Sequence, residues 1–162
     1  MKPVYGACIF FFFAQVFAGK VQAQLFRPLP AEQSGIRFSN DINETENLNV
    51  LAYGYFYNGG GVAAGDINGD GLEDLYFTAN MKPNKLFLNL GGMKFKDITT
   101  DAGVEGRANA WKTGVTMADV NGDGIADLVL LGKGRTEIHL ICGGERFVPP
   151  IVLQRAPMLK PG

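Results

Sequence analysis

The sequence predicts an all-β fold built from a duplicated four-stranded antiparallel unit, on two observations. An acidic loop occurs twice, at Asp66 to Asp74 and at Asp119 to Asp127, and a second pair of similar segments follows each loop at nearly the same spacing. Gly61-Val62-Ala63-Ala64-Gly65 leads into the first loop as Gly114-Val115-Thr116-Met117-Ala118 leads into the second, 53 residues later. Leu86 to Phe95 then corresponds to Ile138 to Phe147 at an offset of 52. Two motifs kept in order and spacing indicate a repeated structural unit, and four short strands with a period near fifty match a β-propeller blade. A β-solenoid is the alternative, although its coils are usually shorter.

Within the first unit the expected strands are Gly61 to Gly65, Asp74 to Thr78, Lys85 to Leu90 and Lys94 to Ile98. Gly91-Gly92 suits a tight hairpin between the last two, because glycine accepts positive φ. In the second unit they are Lys112 to Ala118, Asp127 to Leu131, Thr136 to Cys142 and Glu145 to Val148, with Pro149-Pro150 ending the last. The predicted organisation is a signal peptide at 1–23, an extended lead-in at 24–58, two repeats across 59–150, and an irregular tail at 151–162. Within the lead-in, Val50 to Tyr57 is a candidate strand that would close a ring.

Export is read from the N-terminus. Lys2 precedes an apolar run through Ala7 to Ala14 and Val16 to Ala18, and Val21-Gln22-Ala23 forms a small-x-small site with cleavage expected after Ala23. A membrane anchor needs roughly 20 unbroken apolar residues, and Gln15 and Lys20 interrupt this run. Cys8 stands at the start of the run rather than at its end, which argues against lipidation. A secreted, periplasmic or cell-surface location follows, with no membrane span after cleavage.

The chain of 162 residues has 15 Lys+Arg and 16 Asp+Glu. Loss of Lys2 and Lys20 leaves 13 against 16, a net of about -3, which excludes a broad basic surface for nucleic acid. After cleavage Cys142 is the one cysteine left, so no internal disulfide forms, and its apolar flanks suit a small buried hydrophobe.

In the first loop, Asp66, Asn68, Asp70 and Asp74 place oxygen-bearing side chains at positions one, three, five and nine, and Leu72 offers its carbonyl at seven. Asp119, Asn121, Asp123, Asp127 and the carbonyl of Ile125 repeat the set. Calcium takes six to eight hard oxygen ligands, so one Ca2+ per loop, two in this chain, is the expected cofactor. Ile67, Leu72 and Leu75 would anchor the loop to the core. Phe77 and Leu130 stand where an EF-hand has its bidentate Glu, and strand formers replace its second helix. Transition metals would want His or Cys, which the loops lack. An ion-free acidic turn is the competing reading.

The D-x-N-x-D-G-x-x-D pattern with Val62-Ala63-Ala64-Gly65 before it resembles the FG-GAP/VCBS repeats of integrin-α-like β-propellers over about residues 55 to 148. Gly60 and Thr113 stand where those repeats carry the Phe of Phe-Gly. The segments Ser34 to Phe38, Tyr55 to Gly61, Phe95 to Val104 and Trp111 to Gly114 resemble the N-terminal part of secreted bacterial cartilage-acidic-protein-like (ASPIC/UnbV-type) proteins. The resemblance implies an extracellular calcium-dependent propeller for adhesion, scaffolding or binding of a protein or glycan. Members of that family commonly carry several more blades, so two loops suggest an incomplete propeller and a truncated chain, in the extreme a non-functional product.

A calcium-dependent hydrolase or lyase on the same scaffold is the catalytic alternative. The mature serines Ser34 and Ser39 lie outside any G-x-S-x-G motif, and His139, the one histidine, occupies the position of Phe87. Glu73, Glu137 and Glu145 are the candidate paired carboxylates. No catalytic residue is assigned. Tyr53, Tyr55, Phe56 and Tyr57 read as strand core or as a sugar-stacking platform.

Overall fold

The computed structural model describes residues 26–107, 110–132, 135–141 and 147–154. The expected signal peptide, Cys142 and Gly143 to Glu145 lie outside the described residues. Within them the chain folds as two four-stranded antiparallel meanders. The first blade comprises β1 (Val62–Gly65), β2 (Asp74–Phe77), β3 (Lys85–Asn89) and β4 (Phe95–Asp97). The second comprises β5 (Lys112–Ala118), β6 (Asp127–Gly132), β7 (Arg135–His139) and β8 (Ile151–Gln154). Two single-turn helices, α1 (Ala31–Ser34) and α2 (Thr99–Ala102), flank the first blade.

Side chains alternate across each strand, so the first blade has two distinct faces. Tyr76, Leu86 and Leu88 share one and pack with Leu128, Leu130 and Ile141 of the second blade in a single buried cluster. Ile67, Ile98, Ala102 and Val104 extend that cluster. Phe77 and Phe87 share the other face, where Phe38 of the lead-in covers Phe77 with ring centroids 5.0 Å apart. The lead-in also touches β4 closely: a Cβ on Gly35, at φ +79°, would lie 2.3 Å from the Phe95 carbonyl oxygen.

Asn80 ties the parts together. It exchanges two hydrogen bonds with Asn40 of the lead-in and donates from Nδ2 to the carbonyls of Gly59 and, at 2.7 Å, Lys112. The blades approach most closely where β1 meets β5, since a Cβ on Gly61 would fall 2.9 Å from both Gly114 Cα and Val115 N.

Four expectations are corrected. Val50 to Tyr57 is a string of turns, with Phe56 N–H donating to Tyr53 O and Asn58 N–H to Tyr55 O, because Phe56 is drawn into the core against Trp111. The β3–β4 turn includes Met93 (φ +61°) after Gly91 and Gly92, so three residues rather than two lie left-handed. Leu72 is exposed, whereas Ile67 is buried as expected. Finally, Pro149-Pro150 does not end the sheet. Ile141 pairs with Phe147 and Ile138 with Ile151, so the register slips by one residue across the prolines and β8 forms where an irregular tail was expected. Proline is tolerated because this is the outer strand and the slip is a bulge.

Gly61→Ala is expected to lower the stability of the chain by about 1–3 kcal/mol, since backbone lies in the path of the added methyl and must move. Urea denaturation checks this; an unchanged midpoint would show that β1 and β5 are not held at this separation.

Candidate metal centre in the acidic loops

Each loop joins the first two strands of its blade, and the two are built alike. In the first, Asp66 Oδ1 accepts the backbone N–H groups of Asn68, Gly69 and Asp70, and Oδ2 accepts that of Gly71 at 2.8 Å. In the second, Asp119 Oδ1 accepts from Gly122 and Asp123, and Oδ2 accepts from Gly124 at 2.9 Å. The chain wraps this tightly because Gly69, Gly71, Gly122 and Gly124 lie at φ between +79° and +86°, where a side chain would be strained. Asn68 Oδ1 accepts from Asp70 N–H, and Asp70 Oδ1 accepts from Leu72 N–H. Asn121, Asp123 and Ile125 repeat those bonds.

The ninth residue of each loop does something different. Asp74 is fully buried, with Oδ2 accepting from Ile67 N–H at 3.0 Å and Oδ1 from Asn89 N–H at 2.7 Å. Asp127 is equally buried and accepts from Val120 N–H at 3.0 Å and Ile141 N–H at 2.8 Å. One carboxylate thus fastens each loop to the third strand of its own blade. The sequence marks both residues as metal ligands, while their structural bonds to the third strand carry no pattern that a sequence reading would find.

The electrostatics divide along the same line. Donation from Gly71 and then from Gly69, Asn68 and Asp70 holds the Asp66 carboxyl below the usual carboxylate range, against a smaller effect of burial, and Gly124 leads the same effect at Asp119. Burial pushes Asp74 up, opposed by the N–H donors from Asn89 and Ile67 and assisted by the charges of Asp70 and Asp66.

The donor set is all oxygen, which suits a hard cation, and Asp66 Oδ2 and Asp119 Oδ2, each accepting one N–H, keep a lone pair for a metal. Asn68 Nδ2 donates to Asp70 Oδ2 at 3.1 Å, so in this conformation the amide and the carboxylate satisfy each other. Among the described residues no group of three or more His, Cys, Asp or Glu is gathered as a metal cage.

The catalytic candidates do not converge. His139 is buried on β7 with neither ring nitrogen hydrogen-bonded, and burial lowers its pKa against the opposing charge of Glu137. Ser34 is held by Pro30 O and Ile36 N–H. Glu73 sits beside the first loop and Glu137 on β7, whereas Glu145 lies outside the described residues. No helix among the described residues is long and apolar enough to cross a membrane.

Two antiparallel meanders, stacked face to face and each opening on the same acidic loop, define a β-propeller-like repeat module. Residues 66–130, from the first loop into β6, match the FG-GAP-like repeat. The match is to that repeat and does not single out the cartilage-acidic-protein-like group. The solved structure described as "Crystal Structure of TcdB2-TccC3" is similar at 22% identity and a TM-score of 0.37, over 59% of this chain and 5% of that one. No curated protein matches the chain.

A pH series in chelator tests the loop electrostatics. A carboxylate with a depressed folded pKa contributes stability above its unfolded pKa and loses it as pH falls through the folded value. The excess stability of the parent over Asp66→Asn is therefore expected at neutral pH and should shrink on acidification, with Asp74 opposing in sign because its pKa is raised. A gap that widens towards low pH would contradict this account.

Proposed function

We propose that the protein is an exported, calcium-binding, non-catalytic module of the β-propeller type whose surface binds an extracellular protein or glycan. The observation that carries this reading is the duplicated oxygen-rich loop. Asp66, Asn68, Asp70, Asp74 and the Leu72 carbonyl would hold one Ca2+, and Asp119, Asn121, Asp123, Asp127 and the Ile125 carbonyl the other. The ion would supply positive charge to the carboxylates of each loop and draw them together, coupling metal binding to folding. Support comes from chemistry and from kind: the ligand set is hard and oxygen-only, and residues 66–130 match the FG-GAP-like repeat. The apolar N-terminus supports export.

The way the titratable groups are spent supports a binding role rather than catalysis. The carboxylates of the loops are bonded to backbone, and the imidazole is buried with neither ring nitrogen hydrogen-bonded.

Each calcium site should raise the unfolding free energy by about 2.7 kcal/mol when the free ion is a hundredfold above its dissociation constant. Asp66→Ala combined with Asp70→Ala should remove the share due to the first loop. Thermal melts with calcium and with chelator read this out, and superimposable curves for the parent chain would sink the proposal.

A further inference from the structure

At the ends of the strands remote from the acidic loops, the lead-in, the turn after β2, the connector into β5 and the start of β7 enclose a cavity of about 410 Å³. That volume falls within the range of small-molecule sites. Trp111 and Tyr53 form one wall, in edge-to-face contact with centroids 5.6 Å apart. Phe56 stacks against Trp111 from outside the cavity lining, with centroids 5.1 Å apart, so the indole is braced. Arg107, Lys112 and Glu137 line the cavity as well.

The charges there do not cancel. Arg107 Nε lies 3.2 Å from Glu137 Oε1, and the same carboxylate acts on the Lys112 ammonium, so among the described lining residues two cations share one acid. Lys112 is 7% exposed and donates to one acceptor, the Lys82 carbonyl, at 2.8 Å. An ammonium carries three donors, and among the described residues the other two find no hydrogen-bond acceptor. Burying a cation is costly, and here the desolvation depresses the lysine pKa more than the Glu137 charge restores it. A positive charge held out of water in the lining of the same cavity as a braced aromatic wall suits an anion on a ring-shaped body.

We propose that this cavity binds a uronic acid, with Lys112 and Arg107 facing the carboxylate and the Trp111–Tyr53 wall facing the sugar ring. The inference deepens the binding-module reading by naming a ligand class, and it rests on that reading. A single negative charge matches the net of one positive charge, and an aromatic wall takes the apolar face of a pyranose. The acidic loops lie at the other end of the same strands, about 20 Å away at the usual strand rise. Ligand and metal sites are therefore separable.

Trp111 is the one tryptophan of the chain, so its fluorescence reports this cavity directly. Titration of the full chain, with calcium present, by D-galacturonate should give a saturable change, and D-galactose should need a concentration about tenfold higher because it lacks the charge-assisted contact. Lys112→Met should erase that preference; if it does not fold, the comparison of the two sugars on the parent chain decides alone. Equal responses to both sugars, no saturable response, or tighter binding of benzoate than of galacturonate would overturn the proposal. Cleavage of polygalacturonate alongside the expected titration would overturn the non-catalytic reading and leave the site standing. A silent titration with intact calcium-dependent melting would overturn the site alone.

Discussion

The fold hangs on a buried carboxylate placed at the end of each acidic loop. Asp74 reaches the loop through Ile67 N–H and the third strand through Asn89 N–H, and Asp127 makes the same pair of bonds to Val120 and Ile141. A meander whose first two strands are joined by a long polar loop would otherwise leave that loop free of the sheet. Here the loop and the third strand share one side chain, so the register of three strands is fixed at a single point. The cost of burying the charge is offset by two N–H donors per carboxylate, and hydrogen bonds to charged groups are the stronger kind.

The second constraint is closeness. Gly61 against Gly114 lets two strand backbones meet without side chains between them, and it is this approach that brings Tyr76, Leu86 and Leu88 onto Leu128, Leu130 and Ile141. The first blade is covered on both faces, by the second blade and by Phe38 of the lead-in. On the outward face of the second blade Leu131, Ile151 and Leu153 remain exposed. The lead-in is therefore part of the architecture, although its turns, bridges and single helical turn have no regular period.

Much of this was legible in the sequence, because repetition is a strong signal. The glycine-flanked loops placed the strands, and seven of the eight expected strands lie close to their expected bounds, whereas β8 falls beyond the expected Glu145 to Val148. The eighth escaped because two prolines look like a stop, and only the one-residue slip between the Ile141–Phe147 and Ile138–Ile151 pairs reveals how an outer strand carries them. Tyr53 to Tyr57 read as strand since aromatics favour sheets, but Phe56 gains more from burial beside Trp111 than from pairing. In the loops the sequence points to oxygen-bearing residues as the expected metal donors. It could not show that Asp66 gathers backbone N–H groups while Asp74 faces inward, since both depend on where the chain folds back. The cavity was invisible in sequence, as Tyr53, Trp111, Lys112 and Glu137 come from separate segments.

The strands keep their acidic loops at one end and the Lys112–Arg107 cavity at the other. Two centres of opposite sign are thereby held apart along the strands, the carboxylates of the loops at one end and the cations of the cavity at the other. A net charge sets whether a protein is drawn to a charged surface, whereas a dipole sets which way it faces on arrival. A polyanion would therefore be received differently at the two ends, drawn to the cavity and turned away by loops whose carboxylates hold no cation.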